Sequence, residues 1–300
     1  AEDYLAKYED TNLFPSYFKR LHAFSVKFLN LDANSRIAAV EHELDDILVH
    51  VLRSEGARDM FSRATTNEDV LALAMNSAPH VKCPGTCLVA THICSSMRGA
   101  TNMNARVLAL KLLRKISPMA TDHCILQQML PYCASMLQDR AASVRAAALR
   151  AIAEILRFVE DIPQSDFGVF PEYIWPMVSN TAGDPERLVR VTLASVLAQL
   201  ARLSLTFLQY AAANSGQGGD PISFDDELTV ARTTVQNILY NLMGGKTGDA
   251  DTATWEEILA NSTHLAHFFG RDDTNDFLMP LMITCLNAHA PQLRCAFFKY

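Results

Sequence analysis

Charge of one sign never accumulates in this sequence. Across 300 residues, 26 lysines and arginines stand against 33 aspartates and glutamates, for a net charge of −7, with no run of five like charges and no basic stripe. Nothing in that pattern could track a phosphate backbone, so nucleic acid is not expected as a partner. Glycine and proline are sparse at 12 each, while 49% of residues are hydrophobic, which excludes a mainly disordered chain and argues for a well-buried one. Uninterrupted apolar runs fall short of the roughly 18–20 residues a membrane-spanning helix needs, and no charged-then-apolar secretion signal opens the chain. A soluble or peripherally attached protein is expected. Seven cysteines at irregular spacing (83, 87, 94, 124, 133, 285 and 295) do not resemble a disulfide framework and fit a reducing compartment. The chain starts without Met, and AFFKY breaks off inside an apolar helical pattern, so a piece of a longer protein is expected.

What is present is helical periodicity. Apolar residues recur at three- and four-residue spacing in nearly every long segment, and no strand alternation bounded by hairpin turns appears. Helices are expected at 15–30, 35–53, 67–76, 85–97, 104–116, 122–138, 142–160, 171–181, 185–212, 225–243, 252–269, 274–287 and from 291 onward.

These helices pair, and the pairs repeat. Pro131 precedes Arg145 by fourteen residues, Pro176 precedes Arg190 by fourteen, and Pro280 precedes Arg294 by fourteen. Each proline lies inside a first helix, where it removes a backbone donor and introduces a kink; each arginine lies in the first turn of a second helix. Asp139 and Asp184 stand six residues before Arg145 and Arg190. Such an aspartate can cap the second helix, and such an arginine can reach the aspartate of the next unit, which sets register more than stability. Stability is expected from the rows Val144, Ala148, Ile152, Ile155, Val159 and Val189, Leu193, Leu197, Leu200. A two-helix unit of this length predicts an all-α, HEAT-type alpha-alpha superhelix, a solenoid of helix pairs. It divides into an irregular part over 1–80, regular repeats over 81–210, a flexible glycine-rich insertion over 211–223, and further repeats over 224–300. Arg106 fits an earlier unit without a good aspartate or proline. Ala288 takes the aspartate's place in the last unit, and near Trp255 the arginine is missing, so weaker pairing is expected there.

Several strings imitate chemistry. Asp166-Phe167-Gly168 spells a kinase magnesium motif, yet the upstream catalytic loop, the glycine-rich loop and the strand lysine it would need do not accompany it. Gly244-Gly245-Lys246-Thr247 lacks the earlier glycine of a phosphate loop, since Tyr240 stands there. Cys83, Cys87, His92 and Cys94 fit no zinc spacing, and Asp46 replaces the second histidine of a zincin-like string begun by His42-Glu43. His264 and His267 lack a nucleophile or carboxylate at matching positions. No catalytic, cofactor-binding or metal-binding residue is expected in this segment. A transport-receptor or phosphatase-scaffold solenoid is an alternative that the repeats alone leave open.

The strings FPSYFKRLHAF (14–24), ILQQMLPYCASMLQDRAASVRAAALRAIAEIL (125–156), VFPEYIWPMVSNTAGDPERLVRVTLA (169–194), AHFFGRDDTNDFLMPLMITCLN (266–287) and LRCAFFKY (293–300) narrow the choice. Together they resemble the HEAT region of the protein-kinase-like regulatory subunit of class III phosphatidylinositol 3-kinase, the vacuolar protein sorting fifteen subunit. The resemblance implies a myristoylated kinase or pseudokinase domain upstream, where any ATP would bind, and a WD-repeat propeller downstream. It also implies a non-catalytic scaffold role beside the lipid kinase catalytic subunit and a beclin-type coiled-coil subunit, supporting phosphatidylinositol 3-phosphate production in autophagy, endosomal sorting and vacuolar targeting. Localisation would be cytoplasmic and peripheral on endosome, autophagosome-precursor or vacuole and lysosome membranes, with membrane contact only through the complex or a lipid anchor outside this segment.

Overall fold

The computed structural model describes residues 26, 31–55, 66–76, 80–214, 224–244, 251–287 and 291–299. Among these residues every regular element is helical and none is a strand, so the fold is all-α, of the HEAT-like solenoid type. The chain clusters into two compact units, residues 1–132 and 133–300. The expected helix over 15–30 lies almost wholly outside the described residues, as do Ala288, the Lys246-Thr247 pair and positions 215–223.

In the first unit, α1 (Ala33–Glu55) packs against α2 (Asn67–Asn76), α3 (Thr86–Gly99) and α4 (Met103–Ile116). Asp32 starts α1: its Oδ1 accepts from the backbone N–H groups of Asn34 and Ser35 at 2.9 and 3.1 Å, and its Oδ2 from the Ser35 hydroxyl at 2.7 Å. Those bonds, the Ser35 hydroxyl foremost, hold its carboxyl below the usual range. Ile37, Val40, Leu44, Leu48 and Leu52 then follow at helical spacing and are fully buried, an apolar stripe facing the neighbouring helices.

The second unit contains α6 (Ala142–Ile155), α7 (residues 169–181), α8 (Arg187–Asn214), α9 (Phe224–Leu242), α10 (Thr252–Ala260), α11 (Ser262–Asp273), α12 (residues 274–283) and α13 (Pro291–Lys299). Its axis is α8, which packs against α6, α9, α10 and α11. At 28 residues with a mean hydropathy of 1.6 in its best window, α8 is long and apolar enough to cross a membrane, contrary to the expectation from uninterrupted runs. Serines, threonines and a glutamine interrupt the apolar residues without lowering the average much. Of that window 61% is buried inside the fold, including Val189, Leu193, Leu197 and Leu200 at 0% exposure, the pattern of a core helix. On α6, Val144, Ala148, Ile152 and Ile155 are buried as well, whereas Val159 lies past the helix end and is half-buried.

The three prolines take a form that periodicity did not predict. The helix over residues 122–135, α5, passes through a π-turn at Ile125–Met129, α7 through one at Val169–Ile174, and α12 through one at Thr274–Leu278. In each, the residue just before the proline donates to the carbonyl five residues back: Leu130 to Ile125, Trp175 to Phe170 and Met279 to Thr274. A proline ring clashes with the carbonyl four residues behind it and brings no N–H. Widening the turn by one residue moves the carbonyls of Gln127, Glu172 and Asp276 out of the way of Pro131, Pro176 and Pro280. The expected kink is thus a local π-turn, a rare form recurring three times at the same offset.

Two further expectations change. Residues 252–269 are two helices, α10 and α11, broken at Asn261, whose backbone sits at φ −100°, ψ 6° and whose side-chain amide donates to the Glu257 carbonyl at 2.9 Å. That bond offers the chain an alternative to continuing the helix. Of the insertion expected over 211–223, residues 211–214 belong to α8, which stays helical through Asn214, and the remainder lies outside the described residues.

A sharper break lies within α11 at Gly270, where φ is +75° and ψ −176°, a region essentially restricted to glycine. A Cβ there would also approach Nη2 of Arg232 at 3.1 Å. That guanidinium donates to the Phe268 carbonyl at 3.3 Å and pairs with Asp273 at 3.2 Å, so it is not free to retreat. Gly270→Ala should therefore cost about 1–3 kcal/mol, read as a lowered urea midpoint. An unchanged midpoint would mean that the turn adopts another conformation.

Candidate functional site

The geometry most characteristic of this chain lies in the turns that enter α4, α6 and α8. Nη1 of Arg106 donates to the carbonyls of Ala100 and Thr101 at 2.9 and 3.2 Å. Nη1 of Arg145 does the same to Asp139 and Arg140 at 2.8 and 3.1 Å, and Nη1 of Arg190 to Asp184 and Pro185 at 2.7 and 2.9 Å. In all three the arginine reaches back over its own turn to the carbonyls six and five residues earlier. A planar guanidinium with five fixed donors suits this, and an ammonium would not reproduce it.

The aspartates serve the same turns. Oδ1 of Asp139 accepts from the Ala141 N–H at 2.8 Å, and Oδ1 of Asp184 from the Glu186 N–H at 2.9 Å. In the Arg106 unit Ala100 occupies the aspartate's place, and the corresponding N–H, that of Asn102, donates instead to Oδ1 of Asn34 at 3.0 Å. Asn34 also donates to the Thr101 hydroxyl at 3.1 Å. An amide from the start of α1, 68 residues away, supplies the acceptor that the local sequence lacks.

Between α6 and α8 the row becomes a ladder. Arg145 turns its Nε and Nη2 to Asp184, at 2.7 and 2.8 Å, a two-point pair whose side chains are only 12% and 8% exposed. The bond to Asp184 is the main reason its guanidinium is held more firmly in the charged form. Below it Arg150 donates to the hydroxyl of the buried Thr192 at 3.0 Å, and Gln199 to the Ala153 carbonyl at 2.7 Å. The next unit departs from the pattern. Asp251 caps α10 by accepting from Ala253, and its partner is Arg187, one turn before Arg190, with a side chain 63% exposed. The missing arginine near Trp255 thus coincides with a pair made from a different arginine. Arg294 lies exposed on α13, and the turn before it falls outside the described residues.

Asp166 of the kinase-like string is buried in a 3-10 turn at Gln164–Asp166, while Phe167 sets its ring edge-on to Tyr210 at 6.3 Å. Burial pushes the Cys94 thiol up to about 12, and a hydrogen bond with Cys87, followed by burial, raises that of Cys124. Protonated thiols are poor metal ligands. Burial also lowers His92, aided by the nearby charge of Arg36. Among the described residues no group of three or more His, Cys, Asp or Glu side chains could hold a metal ion. His42, His264 and His267 are exposed on helix surfaces.

Paired helices, arginine-locked turns and a ladder between second helices define a HEAT-like repeat scaffold. Residues 89–300 match the family described as PIK3R4-like, middle domain, and the chain belongs to that family. It is similar to serine/threonine-protein kinase VPS15 of Arabidopsis thaliana, at 32% identity over 241 residues, covering 73% of this chain and 16% of that protein. The vps15 serine/threonine-protein kinase of Dictyostelium discoideum is 32% identical over 201 residues, 63% of this chain and 10% of the relative. A VPS15 kinase of Komagataella pastoris is 28% identical over 264 residues, covering 86% and 18%. The chain therefore spans less than a fifth of these relatives' length, and it is their helical middle domain rather than their kinase domain.

The two pairs at Asp184 and Asp251 should differ in weight. Arg145→Ala leaves a largely buried carboxylate and two turn carbonyls without their donor, and should cost about 3 kcal/mol or more. Arg187→Ala removes an exposed partner and should cost less than about 1 kcal/mol, shrinking further in high salt. Urea midpoints of the two variants give the comparison; equal losses would contradict the assignment.

Proposed function

We propose that this chain is a non-catalytic scaffold segment of the regulatory subunit of a class III phosphatidylinositol 3-kinase complex. The observation that carries the reading is the family match over residues 89–300, which coincides with the helices whose turns the arginines lock. A row of turns fixed by charge-assisted bonds keeps stacked helices in one register. Such a body suits holding other subunits at set distances, and its buried thiols and buried DFG-like aspartate suit no catalytic step.

In this reading the segment itself takes no cofactor, and ATP belongs to the kinase part of the longer protein. Its partners are the lipid kinase catalytic subunit and a beclin-type coiled-coil subunit, and it works at endosome, autophagosome-precursor and vacuole or lysosome membranes, supporting phosphatidylinositol 3-phosphate production. Membrane contact comes through the complex or through an anchor outside these residues.

The test is co-purification from cells producing the intact protein, as wild type and as Asp184→Arg. Wild type should recover the lipid kinase catalytic subunit, and the charge reversal, which sets two guanidinium groups against each other, should lower both that recovery and cellular phosphatidylinositol 3-phosphate several-fold. Recovery of a phosphatase catalytic subunit or transport cargo in place of lipid kinase subunits would overturn the reading.

A further inference from the structure

Within the second unit, a cavity of ≈ 250 Å³ opens between the DFG-like turn, the π-turn of α7, the C-terminal half of α8 and the first turns of α9. Its walls include Phe167, Phe170, Trp175, Phe207 and Val230. The aromatic side is closely packed: Phe170 meets Phe207 edge-on at 5.1 Å and lies against Trp175 at 5.7 Å. The other side is open, with Val230 55% exposed.

Carboxylates interrupt this apolar surface, to which Trp175, only 3% exposed, belongs. The charged residues of the lining are both carboxylates, Glu172 and Glu227, and the first turn of α9 adds Asp225 and Asp226. Glu172 belongs to the π-turn forced by Pro176, and its carboxylate folds over Gly168, where a Cβ would come within 2.7 Å.

Size, polarity and charge select the occupant. Small-molecule sites run to about 300–1,000 Å³, so this cavity is better matched to one bulky side chain of a larger partner. A plain hydrocarbon would leave both carboxylates without a counter-charge, whereas a peptide carries apolar and basic side chains together. A basic neighbour on that peptide answers the acidic rim. We infer that this cavity is a docking site for a protein segment that inserts one bulky apolar side chain, Phe, Leu or Met, with a Lys or Arg beside it. The site stands on residues of the second unit alone and holds whatever larger complex the protein serves.

A random peptide library panned against the intact protein tests this, followed by fluorescence anisotropy of the enriched peptides. Enriched sequences should pair a bulky apolar residue with an adjacent Lys or Arg, and replacing either by Ala or Glu should weaken binding about tenfold or more. Val230→Glu, at an exposed position, should abolish binding with the thermal midpoint unchanged. Glu227→Lys should reverse the preference toward acidic flanks. No enrichment, enrichment without that pairing, binding indifferent to Val230→Glu and Glu227→Lys, or tighter uptake of a neutral apolar dye than of any peptide would overturn the inference.

Discussion

An arginine in the first turn of a second helix reaching back to the carbonyls just before it is the constraint on which the rest of this fold depends. Those carbonyls lie outside the helix and have no ladder of their own. A charged donor that satisfies two of them at once fixes the path of the turn, and so the angle at which the second helix leaves the first. Once the turn is fixed, the remaining donors of Arg145 point at Asp184 of the following unit, which is itself held by the N–H of Glu186. Local turn geometry and register between repeats are therefore set by the same few atoms. The apolar rows of α6 and α8 supply the driving force, and the arginine decides which of the many ways of stacking two greasy helices is used.

Much of this could be read from the sequence because it depends on local spacing. The Asp139–Arg145 and Asp184–Arg190 intervals, the buried faces of α6 and α8, and the helices over 67–76 and 104–116 follow from residue spacing. The aspartates do not cap the helices as expected: Oδ1 of each accepts from the residue just before its helix, Ala141 or Glu186, and α6 has no side-chain cap. What escaped depends on residues far apart or on backbone hydrogen bonding. Asn34 filling the place of an aspartate across 68 residues leaves no local signal, since any exposed Asn looks the same. Arg187 was visible beside Arg190, but only the stacking of α8 on α10 decides which of the two meets Asp251. Each proline announced a kink; that the kink is a π-turn follows from relieving a clash four residues back, which a hydrophobic pattern does not record. Gly270 stands between the helices expected over 252–269 and 274–287, and nothing in the local pattern announces its positive φ or the guanidinium of Arg232 above it.

The strings that imitate chemistry acquire other roles. Phe167 and Gly168 of the DFG-like triplet line the aromatic cavity, where Glu172 closes over Gly168. Cys83 and Cys94 are buried in the packing, and burial raises the Cys94 thiol. Charge in the second unit is spent on turns, on rungs and on the rim of that cavity, a distribution that suits holding partners in place. Family membership and geometry thus point the same way without depending on each other.

A double-mutant cycle on Arg145 and Asp184 bears most directly on the claim that this pair sets register between repeats. Unfolding free energies of wild type, Arg145→Met, Asp184→Leu and the double variant give the coupling. The account predicts a coupling of about 1.5–3 kcal/mol, little reduced at high salt because both side chains are largely buried. Additive losses, or a coupling below about 0.5 kcal/mol, would contradict it.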